Sequence, residues 1–250
     1  MALGTDSSWL RRIAPREDPR LRLVCLPHAG GSAGFFHSWG SGFDADVEVM
    51  AVRYPGRQER IAERPLTDME ALADAVTEEL LPYTSTPLAL FGHSMGASLG
   101  YEVALRLQQR HGVVPAVLMV SCRKAPHLLT PRTAALGSDD ELVAEVKRLG
   151  GTDTALLDDM DLRELILPAI RADFSIVARY RARQGTPLAC PVVGYVGDSD
   201  QDVDVEGLKG WADVAPAGFS LKVLSGGHFY LVERRDELIE DIRARLAPRW

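Results

Sequence analysis

Residues 88–100 read LALFGHSMGASLG, an apolar run that ends at a serine between two glycines and continues as a stretch of small residues. Its central part, Gly92 to Gly96, fits the pattern G-x-S-x-G. In that pattern a strand turns sharply into a helix, and the serine hydroxyl stands exposed at the edge of a sheet. Glycines suit so tight a turn because they carry no Cβ atom that would clash there. The stretch therefore predicts a nucleophile elbow with Ser94 as the nucleophile.

Five further apolar runs have the length and composition of β-strands, at residues 21–26, 47–52, 114–121, 191–196 and 219–224, beside the run at 88–91. Helical patterns lie between them. In the clearest one, Thr67 and Glu70 fit a capping box that precedes an apolar face of Met69, Leu72, Ala73, Val76 and Leu80. Strands that alternate with helices favour a parallel sheet covered on both faces. The predicted fold class is α/β with a mostly parallel central sheet.

About seventy residues between Arg123 and Cys190 interrupt this alternation. A second capping box, Ser138 with Glu141, precedes an apolar stripe, and a later helical stretch covers 161–180, where Pro168 is expected to kink or restart the helix. Long insertions of this kind often form lids. We expect one domain, residues 1–250, with a helical lid insertion at residues 125–184.

Composition excludes several functions. The 250 residues carry a net charge of −7, which argues against nucleic-acid binding because phosphate contacts need a dense basic surface. Three cysteines, an odd number without a C-x-x-C pair, lie in or beside apolar segments, as expected for buried thiols in a reducing compartment. The chain shows neither a secretion signal nor an apolar run of 18 residues, so we expect a cytoplasmic protein without a membrane contact.

A nucleophilic serine needs a base and an acid that orients it. Of six histidines, only His228 follows the last predicted strand, where this arrangement places the base. Three aspartates follow the strand before it, and the spacing G-x-x-D from Gly197 favours Asp200 as the acid. Asp198 and Asp202 are the alternatives, each also able to cap a loop or helix.

Backbone N–H groups are expected to complete the site. The Met95 N–H at the start of the helix is the natural first donor to an oxyanion, and the loop at residues 27–34, PHAGGSAG, offers the Ala29 N–H as the second. The same loop could instead bind phosphate, but it lacks both the GK[ST] ending and G-x-G-x-x-G. A metal site from His28, His93 and His228 is conceivable, although no pair has the spacing that presents two ligands on one helical face.

Five motifs extend over nearly the whole chain: LPHAGG at 26–31, YPGR at 54–57, GHSMG at 92–96, SCRKAP at 121–126 and GGHF at 226–229. In these motifs the chain closely resembles the type II thioesterases, the stand-alone α/β-hydrolases that accompany polyketide and nonribosomal peptide synthases. Cys122 departs from the family pattern, which has glycine there. We expect this change to affect packing or the pocket wall and not the catalytic triad.

The resemblance implies Ser94 as nucleophile, His228 as base, Asp200 as acid, and the Ala29 and Met95 N–H groups as the oxyanion hole. It also implies hydrolysis of thioesters on the phosphopantetheine arm of acyl or peptidyl carrier proteins, which clears aberrant or stalled acyl units. No metal or diffusible cofactor is then needed, because the partner carries the phosphopantetheine. Candidate substrate-binding residues are His28, Leu128, Leu129, Phe174, Val177 and Phe229, of which most fit an ordinary helix core equally well.

Carrier proteins are usually acidic, so an acidic enzyme needs a local basic patch to dock them. Arg123 with Lys124 is one candidate, and the arginines at 179, 181 and 183 are another. Other readings of the chain remain open: a small-molecule carboxylesterase or lipase with the same triad, a domain from the end of a synthase, and an inactive hydrolase fold that binds a protein. The methionine start and lack of a linker argue against the synthase domain.

Overall fold

A computed structural model describes residues 7–130, 137–151, 157–181 and 185–247. Seven strands form one sheet in the order β1-β3-β2-β4-β5-β6-β7. Neighbouring strands are parallel except for β1, which pairs antiparallel with β3. The strands are β1 Leu10–Ala14, β2 Leu21–Leu26, β3 Val47–Val52, β4 Leu88–His93, β5 Val117–Ser121, β6 Val192–Gly197 and β7 Phe219–Leu224. The predicted α/β class with a mostly parallel sheet is confirmed.

All six predicted strands are present, and the differences lie at their ends. β4 continues to His93 and leads directly into the elbow, whereas β5 begins at Val117 and not at 114. The sequence did not predict β1, an edge strand with the sequence LRRIA in which only Leu10 and Ala14 are buried. Because an edge strand is covered on fewer sides than an interior strand, its residues lack the continuous apolar run by which the other strands are recognised.

The helices are α1 Met69–Leu80, α2 Met95–His111, α3 Asp139–Leu149, α4 Met160–Arg179, α5 Val205–Lys209, α6 Tyr230–Glu233 and α7 Arg235–Leu246. The capping box predicted at Thr67 is wrong, since Asp68 is the N-cap of α1 and its side chain accepts from the Ala71 N–H at 3.0 Å. The helix begins one residue later than predicted because the carboxylate of Asp68, next to Thr67, caps it in place of the threonine hydroxyl. The second capping box, Ser138 with Glu141, is confirmed.

Of the two effects expected at Pro168, a kink or a restart, the restart does not occur, since α4 continues from Met160 to Arg179 with this proline inside it. A proline removes one N–H donor from the helix. The buried face of α4, which includes Leu167, Ile170 and Phe174, supplies packing on both sides of that position. Among the described residues, none of the helices has the length and apolarity needed to span a membrane.

Two apolar clusters organise the molecule. The large one contains the sheet and its flanking helices, and the three free cysteines are buried, as predicted. The second belongs to the insertion and consists of Leu142, Val143, Val146, Leu157, Leu167, Ile170 and Phe174. Ala29 packs against both clusters. The insertion therefore meets the body of the protein over the loop predicted to form the oxyanion hole.

Candidate active site

The elbow is fixed by backbone contacts. Ser94 has φ 53° and ψ −114°, a conformation that L residues rarely adopt and that costs about 1–3 kcal/mol. A Cβ atom on Gly92 would lie 2.1 Å from the Gly96 carbonyl oxygen, and one on Gly96 would lie 2.0 Å from the Leu26 carbonyl oxygen. The Ser94 N–H donates to the Ser121 carbonyl at 2.8 Å. Both glycines are therefore required by space, as the sequence predicts.

The predicted base and acid meet in the structure. His228 Nδ1 lies 2.9 Å from Asp200 Oδ2. The second oxygen, Oδ1, accepts the N–H groups of Asp202 at 2.8 Å and Val203 at 3.2 Å. Burial raises the pKa of the Asp200 carboxyl, but the hydrogen bond and charge of His228, the Asp202 N–H and the Cys122 thiol lower it more, so its pKa lies below the ordinary value. The carboxylate is thus ionised and aimed at the imidazole.

The two loops that carry this pair are packed backbone against backbone. A Cβ atom on Gly197 would lie 2.2 Å from the Gly226 carbonyl oxygen and 2.4 Å from that of Gly227. Asp198, one alternative acid, accepts the Gly226 N–H at 3.0 Å and so holds the histidine loop in place. Asp202, the other alternative, forms an ion pair with Arg148 of α3 at 2.9 Å. The geometry therefore separates the three aspartates by their partners.

A cavity opens above the elbow between the sheet and the insertion. Ser94, His228 and Ala29 line it, together with all six predicted substrate-binding residues: His28, Leu128, Leu129, Phe174, Val177 and Phe229. Residues that the sequence did not single out also line it, among them Val146 and Leu149 of α3. Met95 is fully buried at the first position of α2, where a backbone N–H has no partner within its own helix.

His28, in the wall of the cavity, and His93 are both buried. Burial, with smaller contributions from the charges of His228 and Arg57, lowers the pKa of His28 to about 3, so the ring is neutral. The His28 ring packs edge-on against Phe35, Phe229 and His93. His93 Nδ1 lies 2.9 Å from Ser121 Oγ, which accounts for one nitrogen of that ring.

The structure offers one group of metal-ligating atoms within its described residues, and it differs from the histidine set considered above. Cys122, Asp200 and His228 place their ligand atoms within 4.8 Å of one another. Two of the three residues are already joined, since Asp200 Oδ2 bonds the His228 ring, and Asp200 Oδ1 accepts two backbone N–H groups. The arrangement therefore suits an oriented imidazole.

Cys122 corrects one expectation. Its side chain lines the cavity, as expected, but its sulfur also lies within 4.8 Å of ligand atoms of Asp200 and His228, so its surroundings include the predicted triad. Its φ of 47° lies in the left-handed region that favours glycine, which agrees with the glycine of the family pattern. Burial raises the pKa of the thiol well above its ordinary value. The family glycine was the signal that could have revealed this turn.

An ion pair between Arg57 and Asp173 is the contact that sequence reasoning missed. Asp173 lies in α4 and is buried, and it bonds both Arg57 and the Gly30 N–H of the loop at 27–34. The available signal was a carboxylate in the otherwise apolar stretch around Phe174 of a predicted helix. Charged residues are almost never fully buried unless they are paired, so such a position indicates a partner elsewhere in the fold.

Of the two predicted basic patches, Arg123 and Lys124 line the cavity. Arg179 and Arg181 are exposed at the end of α4, and Arg183 lies outside the described residues.

Comparison with known proteins agrees with this geometry. Residues 21–246 match the model of a family described as Thioesterase domain. "Thioesterase PikA5" of Streptomyces venezuelae is 42% identical over 246 residues, which cover 98% of this chain and 88% of that protein. "Gramicidin S biosynthesis protein GrsT" of Aneurinibacillus migulanus is 34% identical, with 97% of each chain covered.

A solved structure described as the type II thioesterase BorB from the borrelidin biosynthetic cluster superimposes with a TM-score of 0.89 at 40% identity, and covers 97% of this chain and 99% of its own. YbtT, described as a type II thioesterase from the yersiniabactin NRPS/PKS pathway, gives a TM-score of 0.85 at 30% identity and covers 94% and 96%. The chain therefore belongs to the thioesterase family, as a thioester hydrolase of the type II kind known from polyketide and nonribosomal peptide biosynthesis.

Proposed function

We propose that the protein hydrolyses acyl thioesters on the phosphopantetheine arm of acyl or peptidyl carrier proteins, through an acyl-enzyme on Ser94. The observation that carries the proposal is the 2.9 Å contact between His228 and Asp200, made at a cavity whose wall also contains the strained Ser94. Relatives described as type II thioesterases of synthase pathways support the choice of substrate.

In the first half-reaction, His228 acts through its Nε2 atom, because its Nδ1 atom faces Asp200. The imidazole takes the Ser94 proton while Oγ forms a bond to the thioester carbonyl carbon. The tetrahedral intermediate then collapses, its C–S bond breaks, and the pantetheine sulfur leaves as a thiol with the proton that His228 returns. The acyl group remains on Ser94 as an oxygen ester.

In the second half-reaction, His228 removes a proton from water as the water oxygen attacks the acyl-enzyme. Collapse of this intermediate returns the proton to Ser94 and releases the carboxylic acid. In both steps the negative oxygen faces the Ala29 N–H of the loop after β2 and the Met95 N–H at the start of α2, where the helix dipole also favours negative charge. Loss of one such donor costs about 3–4 kcal/mol of transition-state stabilisation.

The proposal includes the partner and the setting. Arg123 and Lys124 are the cations at the cavity wall that suit an acidic carrier protein. The carrier brings its own phosphopantetheine, so the enzyme needs neither a metal nor a diffusible cofactor. Three buried free cysteines support a reducing compartment, as in the cytoplasm. Removal of stalled acyl groups from a synthase is the resulting biological role.

The same triad could cleave oxygen esters, so substrate preference is the decisive test. One acyl group is presented as a carrier-protein thioester and as the corresponding oxygen ester, and kcat/KM is measured for both. We expect the carrier thioester to be preferred. A preference for the oxygen ester would contradict the proposal and support a carboxylesterase. Fluorophosphonate labelling of Ser94 in both assays shows that the same serine is active.

A further inference from the structure

We infer that Asp173 and Arg57 are positioning residues for the reaction, which hold the oxyanion loop (residues 27–31) against helix α4 of the insertion. The inference rests on the proposed function in one respect, the assignment of the Ala29 N–H as an oxyanion donor. Neither residue is placed to touch the reacting atoms through its own side chain, so both would act through the backbone of the loop.

The pair is bidentate and buried. Arg57 Nη1 lies 2.6 Å from Asp173 Oδ2, and Nη2 lies 2.9 Å from Oδ1. The Asp173 side chain is 3% exposed and that of Arg57 is 11% exposed. Removing two charges from water costs desolvation free energy. A bidentate Arg–Asp pair offsets this cost only when the remaining polar atoms also find hydrogen-bond partners.

Arg57 Nε has no hydrogen-bond partner among the described residues, and two other polar atoms of the pair find partners on the oxyanion loop. The Gly30 N–H donates to Asp173 Oδ2 at 2.8 Å, and Arg57 Nη1 donates to the Gly31 carbonyl at 2.9 Å. Beside Arg57, the Tyr54 hydroxyl donates to the Pro27 carbonyl at 2.9 Å. Ala29 lies between these anchored residues. The loop after β3, which carries Tyr54 and Arg57, and helix α4 of the insertion therefore fix the backbone on both sides of the Ala29 N–H.

The loop needs such support because its own sequence gives little. The Gly31 N–H donates to the His28 carbonyl at 2.9 Å and closes a four-residue turn, with Gly30 at φ 78° in its third position. This is the pattern of a type II turn, whose central peptide plane has the opposite orientation in a type I turn. Glycine permits both conformations. The bond from Gly30 to Asp173 selects one of them.

The contact also links the insertion to catalysis. A Cβ atom on Gly30 would lie 3.4 Å from Ile170, one turn before Asp173, so α4 packs directly on the turn. An α4 displaced from the sheet would release the Gly30 N–H and the Arg57 fork together. The oxyanion hole is therefore complete only while α4 lies against the loop.

The test compares Asp173→Asn and Arg57→Lys with a matched control, Asp140→Asn. The control breaks another ion pair of the insertion, from Asp140 in α3 to Arg163 in α4 at 2.6 Å, which does not touch the loop. The measurements are kcat and KM with an acyl N-acetylcysteamine thioester, melting temperature, and hydrogen exchange of peptides that contain residues 27–34. Asp173→Asn keeps the side-chain volume but loses the charge and one acceptor oxygen, and Arg57→Lys keeps the charge but loses the fork.

We expect both variants to lower kcat by at least about tenfold with little change in KM, since loss of a whole oxyanion donor costs about 100- to 1,000-fold. The loop should exchange faster in both, whereas Asp140→Asn should match the parent protein in kcat and loop exchange. The inference is overturned if the Asp173 and Arg57 variants match the control in both. If the loop exchanges faster in the two variants but the parent protein hydrolyses no thioester, the positioning of the loop is retained and the proposed function is rejected.

Discussion

The cavity lies between two regions that are held in place differently. One is the edge of the sheet at which β4, β6 and β7 end, called the edge below, and the other is the insertion. At the edge, the elbow and the loops of Asp200 and His228 are held by backbone contacts so close that Gly92, Gly96 and Gly197 leave no room for a Cβ atom. The insertion has its own apolar cluster and is joined to the oxyanion loop by the side chains of Asp173 and Arg57.

This difference predicts which of the two regions tolerates amino-acid substitutions. No other residue can replace these glycines without moving the backbone they contact. The sequence shows the glycines in short local motifs. A side-chain ion pair joins residues 116 positions apart, and nothing near either residue identifies the other. Substitutions at the edge should therefore cause large losses of activity or stability, and substitutions in the insertion should cause graded losses.

The largest expected effect is that of Asp200→Asn. An amide cannot hold the His228 ring in the orientation and tautomer that the base requires, so kcat should fall by about 10⁴-fold with carrier-bound thioester, by analogy with triad acids elsewhere. Steady-state kinetics measures it. Asp198→Asn is the matched control, because the new amide oxygen can still accept the Gly226 N–H and the effect should be small. An equal loss in both variants would mean that the acid was misassigned.

Next in size is Gly197→Ala. The added Cβ would lie 2.2 Å from the Gly226 carbonyl oxygen, so the acid and histidine loops must move apart. We expect the free energy of unfolding to fall by about 3 kcal/mol, as for overpacked sites, and kcat to fall with it. Gly112→Ala is the comparison, since Gly112 has φ 66° with open space around it and should cost about 1 kcal/mol from strain alone. Denaturant unfolding of both variants decides this, and similar losses would contradict a steric role for Gly197.

His28 lies at the junction of the two regions and makes the stability of the protein depend on pH. Its folded pKa is about 3, mainly through burial, against an ordinary value of 6.5, so between these values the unfolded chain binds a proton that the folded chain does not. Stability should therefore fall as the pH falls below 6.5. Between pH 6.5 and 5 the parent protein should lose about 2 kcal/mol more than His28→Phe. Unfolding free energies at both pH values test this, and parallel losses would reject it.

The smallest expected effect concerns Cys122. Its sulfur lies within 4.8 Å of an Asp200 oxygen, and the thiol contributes to the lowered pKa of that carboxyl. A single neutral hydrogen bond contributes about 1 kcal/mol, so Cys122→Ala should lower kcat by no more than about tenfold. Cys122→Ser keeps a donor at the same place and should retain more activity than the alanine variant. If the two variants have equal kcat values, the thiol contributes through packing and not through the acid.

The sequence predicted the edge of the sheet well because its features are local. Ser94, Asp200 and His228 each lie within four residues of the end of a strand, and parallel strands bring such positions together. The edge strand at Leu10–Ala14 was missed because it lacks an apolar run, and Asp68 was passed over as N-cap because the neighbouring threonine also fits one. The Arg57 contact required tertiary structure, since only the packing of α4 on the loop at Gly30 brings its partner near.

The central claim is that Ser94 receives the acyl group from a carrier protein. Its most direct measurement is release of free acid from an acyl-loaded carrier protein by the parent chain, Ser94→Ala and Ser98→Ala. Ser98 is the control because it lies one turn along α2, where its Oγ accepts a hydrogen bond from Arg123 Nε at 2.8 Å. The expected result is that Ser94→Ala abolishes release while Ser98→Ala retains it. Undiminished release by Ser94→Ala would contradict the account.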